Sequence, residues 1–193
     1  MRLYIGLVHY PVYNKNNQTI ASAITTIDIH DIARVARTYG VKRFFVITPL
    51  EDQQVLAKRV KNHWIIGYGA KYNRHRKEAI ELVTLVSYLG GAIDVIADME
   101  GEPPLLIATD ASSQNSRNIS YEKARNIIQD GRVVILVFGT AWGLDKIIIN
   151  RADYVLDPIF GGTSYNHLSV RTAAAIILDR LVGDNGTVLK ADC

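Results

Sequence analysis

The chain has 193 residues, 48% of them hydrophobic, which suffices for one well-buried core without a second domain. Its only cysteine is the last residue, Cys193, excluding an internal disulfide or a multi-cysteine metal site, and no apolar run reaches the roughly 18–20 residues that cross a bilayer. The net charge of +3 is unevenly spread, with 13 Lys/Arg against 4 Asp/Glu in residues 1–77 and 9 against 15 in residues 78–193. That split fits a polyanionic partner for the basic half as well as it fits solvated faces, and it argues against nucleic acid wrapped round the whole chain.

Strand-like and helix-like segments alternate. LYIGLVHY (3–10) is a β-rich run ended by Pro11, and the opening MRLYIGLVHYPV does not read as a signal peptide. The expected location is cytoplasmic. Residues 28–39 place Ile29, Ile32, Ala33, Ala36 and Tyr39 at helical spacing, with Asp28 as the cap and Gly40 as the stop. FFVITP (44–49) is an apolar strand closed by proline. Residues 51–63 form a helix whose inner face would be Val55, Leu56 and Val60. After the Gly/Tyr-rich IIGYGAKYN, the pattern predicts a helix over 77–89 and another over 93–100, with Asp94, Asp98 and Glu100 exposed.

LLIAT (105–109) is a strand and 110–118 a polar loop, after which Ser120 caps a helix ending at Gly131. VVILVFG (133–139) is the strongest strand signal. Residues 144–150 make a short helix, YVLDPI a strand, and 169–181 a final alanine-rich helix. Continuous apolar strands separated by helices define an α/β fold, one domain over residues 1–193, with a mainly parallel sheet flanked by helices. Ligands in such folds sit beyond the carboxyl ends of the strands, here the loops after Thr109, Phe138 and Asp157.

Four constellations carry candidate chemistry. His30, Arg34 and Arg37 recur at i, i+4 and i+7, a helix face suited to phosphate or base contacts, or a solvated face paired to Asp31. Between Lys58 and Lys77 lie seven Lys/Arg (Lys58, Arg59, Lys61, Lys71, Arg74, Arg76, Lys77) and no acid, interleaved with Trp64, Tyr68 and Tyr72. Cations neutralise phosphates and exposed aromatics stack on unpaired bases, whereas a purely structural reading puts the aromatics in the core; the absence of acids tips the balance toward RNA. Gly139-Thr140-Ala141-Trp142-Gly143-Leu144 is neither a P-loop nor a dinucleotide fingerprint, and reads equally as a backbone-rich ligand loop or a tight turn anchored by Trp142. Asp157-Pro158-Ile159-Phe160-Gly161-Gly162 leads to Tyr165-Asn166-His167-Leu168-Ser169, where Ser169 also suits a helix cap. The five histidines show no paired metal-ligand spacing, no GxSxG elbow exists, and Cys193 is a poor nucleophile; no metal is expected.

These segments carry a resemblance. HYPVYNK, DIHDIAR with ARTYGV, FGTAWGL and YNHLSVR with AAIILDRL make the whole chain similar to the SPOUT superfamily of S-adenosylmethionine-dependent RNA methyltransferases, in a branch related to bacterial tRNA guanine-N1 methyltransferase C-terminal sequences. Likeness to the ribose methyltransferases of that superfamily is looser. Arg34 and Gly40 match their first motif, but Asp28 and His30 stand where asparagine and glycine are usual. Gly139-Thr140-Ala141-Trp142 lacks the second motif's glutamate, and Ser169 and Arg171 replace asparagine and serine in the third. The resemblance therefore implies the cofactor more firmly than a ribose acceptor.

What the resemblance implies is a C-terminal deep trefoil knot, a homodimer, and methyl transfer from S-adenosylmethionine to structured RNA, tRNA or rRNA. It implies a cofactor slot lined by Thr109, Gly139, Thr140, Trp142, Gly143, Pro158, Ile159, Asn166, His167, Leu168 and Ser169. Arg34 would be the catalytic residue, with Arg37, Lys58, Arg59, Lys61, Lys71, Arg74 and Arg76 on RNA. The alternative is a non-catalytic RNA-binding or assembly protein that retains the fold.

Overall fold

Nine strands and eight helices fill the computed structural model of the chain, which describes residues 1–112, 117–163 and 165–183. In chain order they are β1 (Leu3–Val8), β2 (Val12–Tyr13), β3 (Thr19–Ile20), α1 (Thr26–Thr38), β4 (Phe44–Ile47), α2 (Glu51–Ile65), α3 (Tyr68–Tyr72), α4 (Arg74–Ile80), β5 (Val83–Val86), α5 (Leu89–Glu100), β6 (Leu105–Thr109), β7 (Asn118–Ile119), α6 (Tyr121–Gln129), β8 (Val134–Gly139), α7 (Lys146–Arg151), β9 (Tyr154–Leu156) and α8 (Val170–Val182). Seven strands pair in the order β5-β4-β1-β8-β6-β9-β7, every neighbour parallel. β2 and β3 form a separate antiparallel pair.

The central strands β1, β4 and β8 are apolar without alternation because helices cover both faces. One face buries Leu3, Ile5, Leu7, Phe44, Val46, Leu136 and Phe138 beneath α1, α4 and α8. The other buries Tyr4, Val8, Phe45, Ile47, Ile135 and Val137 beneath α5 and α7. Gly6 of β1 faces this second layer, where a Cβ would lie 3.1 Å from Ile47 and 3.2 Å from Val137. Helix α8 buries Ala174, Ile177, Leu178 and Leu181, and its small residues let it sit close to α1. Each fully buried Leu or Ile there contributes roughly 1.5–3 kcal/mol.

Several expected elements move. The helix expected over 77–89 is three pieces, α4, the strand β5 and the start of α5, because Val83–Val86 adds to the edge of β4 in parallel register. Helix α1 begins two residues earlier than expected and is capped by Thr25, whose side chain accepts from the Asp28 N–H; Asp28 lies in the first turn. In α2 the buried contact is Ala57, while Val55 and Leu56 are exposed. Glu100 does not face solvent: its side chain is 8% exposed and takes the Tyr4 hydroxyl and the Lys42 ammonium, pinning α5 to the amino end of the sheet. The polar loop expected over 110–118 ends in β7, and its residues 113–116, like Cys193, lie outside the described residues. No helix among the described residues is long and apolar enough to cross a membrane.

Candidate functional site

Strands β8, β6 and β9 lie side by side and run the same way, so the loops leaving their carboxyl ends converge. All eleven residues expected at the slot belong to these three loops or the strand ends beneath them. Thr109 closes β6 and donates its hydroxyl to the Val137 carbonyl at 3.0 Å. Asn166 reaches back across the sheet end, donating to the Ala111 carbonyl at 2.8 Å and tying the loop after β9 to the loop after β6. Pro158 is buried and Ile159 half-buried against the core. Ser169 caps α8, accepting from the Thr172 N–H at 3.2 Å.

The loop after β8 is held open-side-out by the chain's own backbone. The Trp142 N–H donates to the Tyr13 carbonyl and the Tyr13 N–H to the Gly143 carbonyl, both at 3.0 Å. Ala141 and Gly143 take left-handed backbone conformations, with φ of 53° and 104°. Gly139 has no room for a side chain, since a Cβ would lie 2.5 Å from the Leu144 nitrogen. Trp142 is 67% exposed, so it is not a packing anchor for the turn. His167 and Leu168 are exposed as well, with Tyr165 edge-on to His167 at 5.1 Å. The rim thus offers apolar and aromatic surface above a floor of fixed backbone.

Beneath Thr140 runs a buried polar chain. Thr140 Oγ1 donates to the Val8 carbonyl at 2.9 Å, Ser22 Oγ lies 2.5 Å from Thr140 Oγ1, and His9 Nδ1 lies 2.9 Å from Ser22 Oγ. Each hydroxyl has one proton. Thr140 spends its proton on Val8, so Ser22 donates to Thr140 and His9 must donate to Ser22. His9 is therefore the neutral Nδ1–H tautomer, with Nε2 buried and unpartnered. Burial pushes its pKa down to about 4, against weaker upward pulls from Asp28 and the Ala23 backbone. A lone histidine at the end of a central parallel strand was the available sequence signal, and metal spacing was the wrong test for it.

On α1, the His30, Arg34 and Arg37 face splits into three environments. His30 is half-buried, edge-on to Trp64 at 5.4 Å, and its pKa is lowered by burial first and by Arg76 next. Arg37 pairs with Glu78 at 3.9 Å. Arg34 is exposed and makes no ion pair among the described residues. Neither arginine pairs with Asp31, which takes Arg171 of α8 at 3.4 Å, while the same guanidinium donates to the buried Asp28 at 2.6 Å. Two of the departures from the ribose-methyltransferase motifs, Asp28 and Arg171, thus neutralise each other and lock α1 to α8.

The basic stretch is not uniformly solvent-facing. Lys61 is turned inward, donating to the Val83 carbonyl, and burial lowers its pKa. The Arg76 guanidinium lies over the Trp64 ring at 4.6 Å. Arg74 pairs with Glu78 at 3.1 Å but leaves its side chain 87% exposed. Lys58, Arg59 and Lys71 are exposed without an ion pair among the described residues. The aromatics divide too: Trp64 packs inward while Tyr68 and Tyr72 face out. Among the described residues no group of three or more His, Cys, Asp or Glu is placed to hold a metal.

The chain is thus an α/β protein with a parallel seven-stranded sheet, and in such folds ligands sit beyond the carboxyl strand ends where these loops lie. The sequence matches the profile of the S-adenosylmethionine-dependent RNA methyltransferase family over residues 2–183, and the chain belongs to that family. A tRNA (guanine-N(1)-)-methyltransferase of Oleidesulfovibrio alaskensis is 43% identical over 182 residues, covering 94% of this chain and 42% of that protein. The chain thus spans about two fifths of that relative's length. A protein of Aquifex aeolicus with no assigned function is 40% identical over 184 residues, 95% of this chain and 89% of its own. The fold is shared with the SpoU methyltransferase AviRb of Streptomyces viridochromogenes in complex with AdoMet, at a TM-score of 0.58 and 18% identity, over 93% of this chain and 58% of that one.

Proposed function

We propose that this chain transfers a methyl group from S-adenosylmethionine to structured RNA, tRNA or rRNA, at the end of the sheet where the loops after β6, β8 and β9 converge. That convergence is the observation that carries the reading. The residues present fit the cofactor. Gly139 and Gly143 keep the β8 loop free of Cβ atoms where backbone must approach a ligand. Trp142, Ile159 and Leu168, with Pro158 beneath, suit an apolar adenine, and Thr109, Thr140, Asn166, His167 and Ser169 set the polar loops for its ribose and amino-acid ends. The cofactor, when bound, supplies an electrophilic methyl on a sulfonium with a good leaving group. What remains for the chain's own residues is to position the acceptor nucleotide and manage its proton.

That role falls to Arg34, because an exposed guanidinium with no ion pair among the described residues is available to a developing negative charge on the acceptor. Arg37, Lys58, Arg59, Lys71 and Arg74 would hold RNA phosphates, with Lys61 and Arg76 supporting the surface from below. The name carried by the Oleidesulfovibrio relative makes guanine N1 of tRNA the first acceptor to test. Residues 1–193 would act as one cytoplasmic domain, in a homodimer whose second copy completes the acceptor side, and the C-terminal segment would thread a deep trefoil knot.

Incorporation of labelled methyl into bulk tRNA tests the reading. Arg34→Ala should lower transfer by at least about 100-fold, the scale of one lost transition-state contact, with cofactor affinity unchanged. Unaltered transfer would remove Arg34 from the mechanism. Calorimetric titration that detects no cofactor binding at millimolar concentration would favour a non-catalytic RNA-binding protein.

A further inference from the structure

The short helix α3 is built to present two tyrosines to solvent. Its underside is glycine: a Cβ on Gly69 would lie 2.6 Å from Trp64 Cε3 and 3.0 Å from His63 Nε2, and one on Gly67 would lie 2.7 Å from the His63 carbonyl oxygen. These contacts dock α3 flat on the end of α2. Its outer side is Tyr68 and Tyr72, each 75% exposed, one helical turn apart. Their rings are stacked, with centroids 6.0 Å apart and planes 22° from parallel. Neither hydroxyl makes a hydrogen bond among the described residues. Two large apolar rings held in water in a fixed mutual orientation are a surface awaiting a planar partner.

The charge around them selects that partner. Lys71 lies between the tyrosines in sequence, and Arg74 and His75 follow just after Asn73, all three cationic or ionisable side chains exposed, with Lys58 and Arg59 on the neighbouring helix. Among the described residues, the carboxylate that ion-pairs with these exposed cations is Glu78, bridged by Arg74 and Arg37. Flat faces flanked by cations match a nucleobase with its phosphate. We propose that Tyr68 and Tyr72 form a stacking platform for unpaired bases of the RNA, so that the protein prefers loop or single-stranded nucleotides over duplex at this surface. The inference rests on RNA being the substrate. A base inserted between the rings needs roughly 7 Å, two stacking steps of about 3.4 Å. The 6.0 Å separation is shorter than that, so bases extend the stack from its outer faces. A duplex keeps its bases covered and can use only the cations.

The test is fluorescence anisotropy with the full chain and two labelled RNAs of equal phosphate number, a stem-loop and a blunt duplex. The wild-type protein should bind the stem-loop more tightly. The Tyr68→Ala/Tyr72→Ala double variant should lose roughly tenfold or more of that affinity while duplex binding and salt dependence stay unchanged. Tyr68→Trp/Tyr72→Trp should restore the preference, and unchanged cofactor titration shows that the variants remain folded. A stem-loop affinity within twofold of wild type in the double alanine variant overturns the platform, as does an equal loss for both RNAs. Wild-type protein that binds neither RNA at low salt overturns the RNA reading itself. Tyrosine-dependent binding of a poly-glutamate peptide that displaces the stem-loop would reassign the surface to an acidic protein segment.

Discussion

Acidification should unlock the fold at His9. In the folded chain this imidazole is wholly buried and its pKa stands near 4, whereas the unfolded chain titrates at the ordinary 6.5. Between those values the unfolded state binds more protons, so the contribution is fully present above pH 6.5 and is lost as the pH falls toward 4. The full shift is worth about 3 kcal/mol, and at pH 5 about 2 kcal/mol of stability has gone through this one group. Carboxylates titrate in the same range, so the comparison is with His9→Asn, whose amide can still donate to Ser22 but carries no titratable proton. Urea unfolding of both proteins at pH 7, 6 and 5 gives the stability difference at each pH. It should move by about 2 kcal/mol in favour of the variant from pH 7 to pH 5. A difference constant to within about 0.5 kcal/mol, or a His9 resonance titrating above pH 6, would refute the buried neutral tautomer.

Four further substitutions have defined outcomes. Gly139→Ala meets backbone at the Leu144 nitrogen and Gly143 carbonyl carbon; it should cost about 1–3 kcal/mol in thermal unfolding and weaken cofactor binding with it. Arg171→Ala leaves Asp28 with a side chain only 11% exposed and no cation; a loss of about 2–3 kcal/mol is expected, reversed in part by adding Asp28→Asn, read from denaturation midpoints. Lys61→Met should leave RNA affinity unchanged because its ammonium is spent on the Val83 carbonyl. Arg59→Ala, in contrast, should weaken binding of stem-loop and duplex alike and flatten the salt dependence, measured by anisotropy at several ionic strengths.

The sheet was legible because its strands are buried on both faces, so apolar runs such as 44–47 and 134–139 stand out from sequence without ambiguity. Strand β5 was not, since it lies on the sheet edge, half-buried beyond Val83, and its residues continue the helical spacing of the segment before it. Part of the strand-end loops was equally readable, since Gly139 lacks room for a Cβ and Gly143 and Gly162 take positive φ, constraints that any sequence there must meet. The side-chain bonds across them were not. His9, Ser22 and Thr140 are 118 residues apart at their widest hydrogen bond, and Asp28 meets Arg171 across 143. Periodicity speaks only of neighbours within a turn or two. The basic stretch shows the complementary limit: composition counted seven cations, but which of them face water depends on how α2, α3 and α4 fold back on one another.

The place of β8 in the sheet has a consequence for synthesis. As the chain leaves the ribosome, β1, β4 and β5 emerge first and can pair on one side with their helices around them. The other edge of β1 then waits, fully apolar and with its backbone groups unpaired, until residue 139 has cleared the exit tunnel and β8 can close against it. For most of its translation the nascent chain therefore carries an open, adhesive sheet edge. A holding chaperone, or slowed translation before residue 134, would decide yield more strongly than the stability of the finished fold.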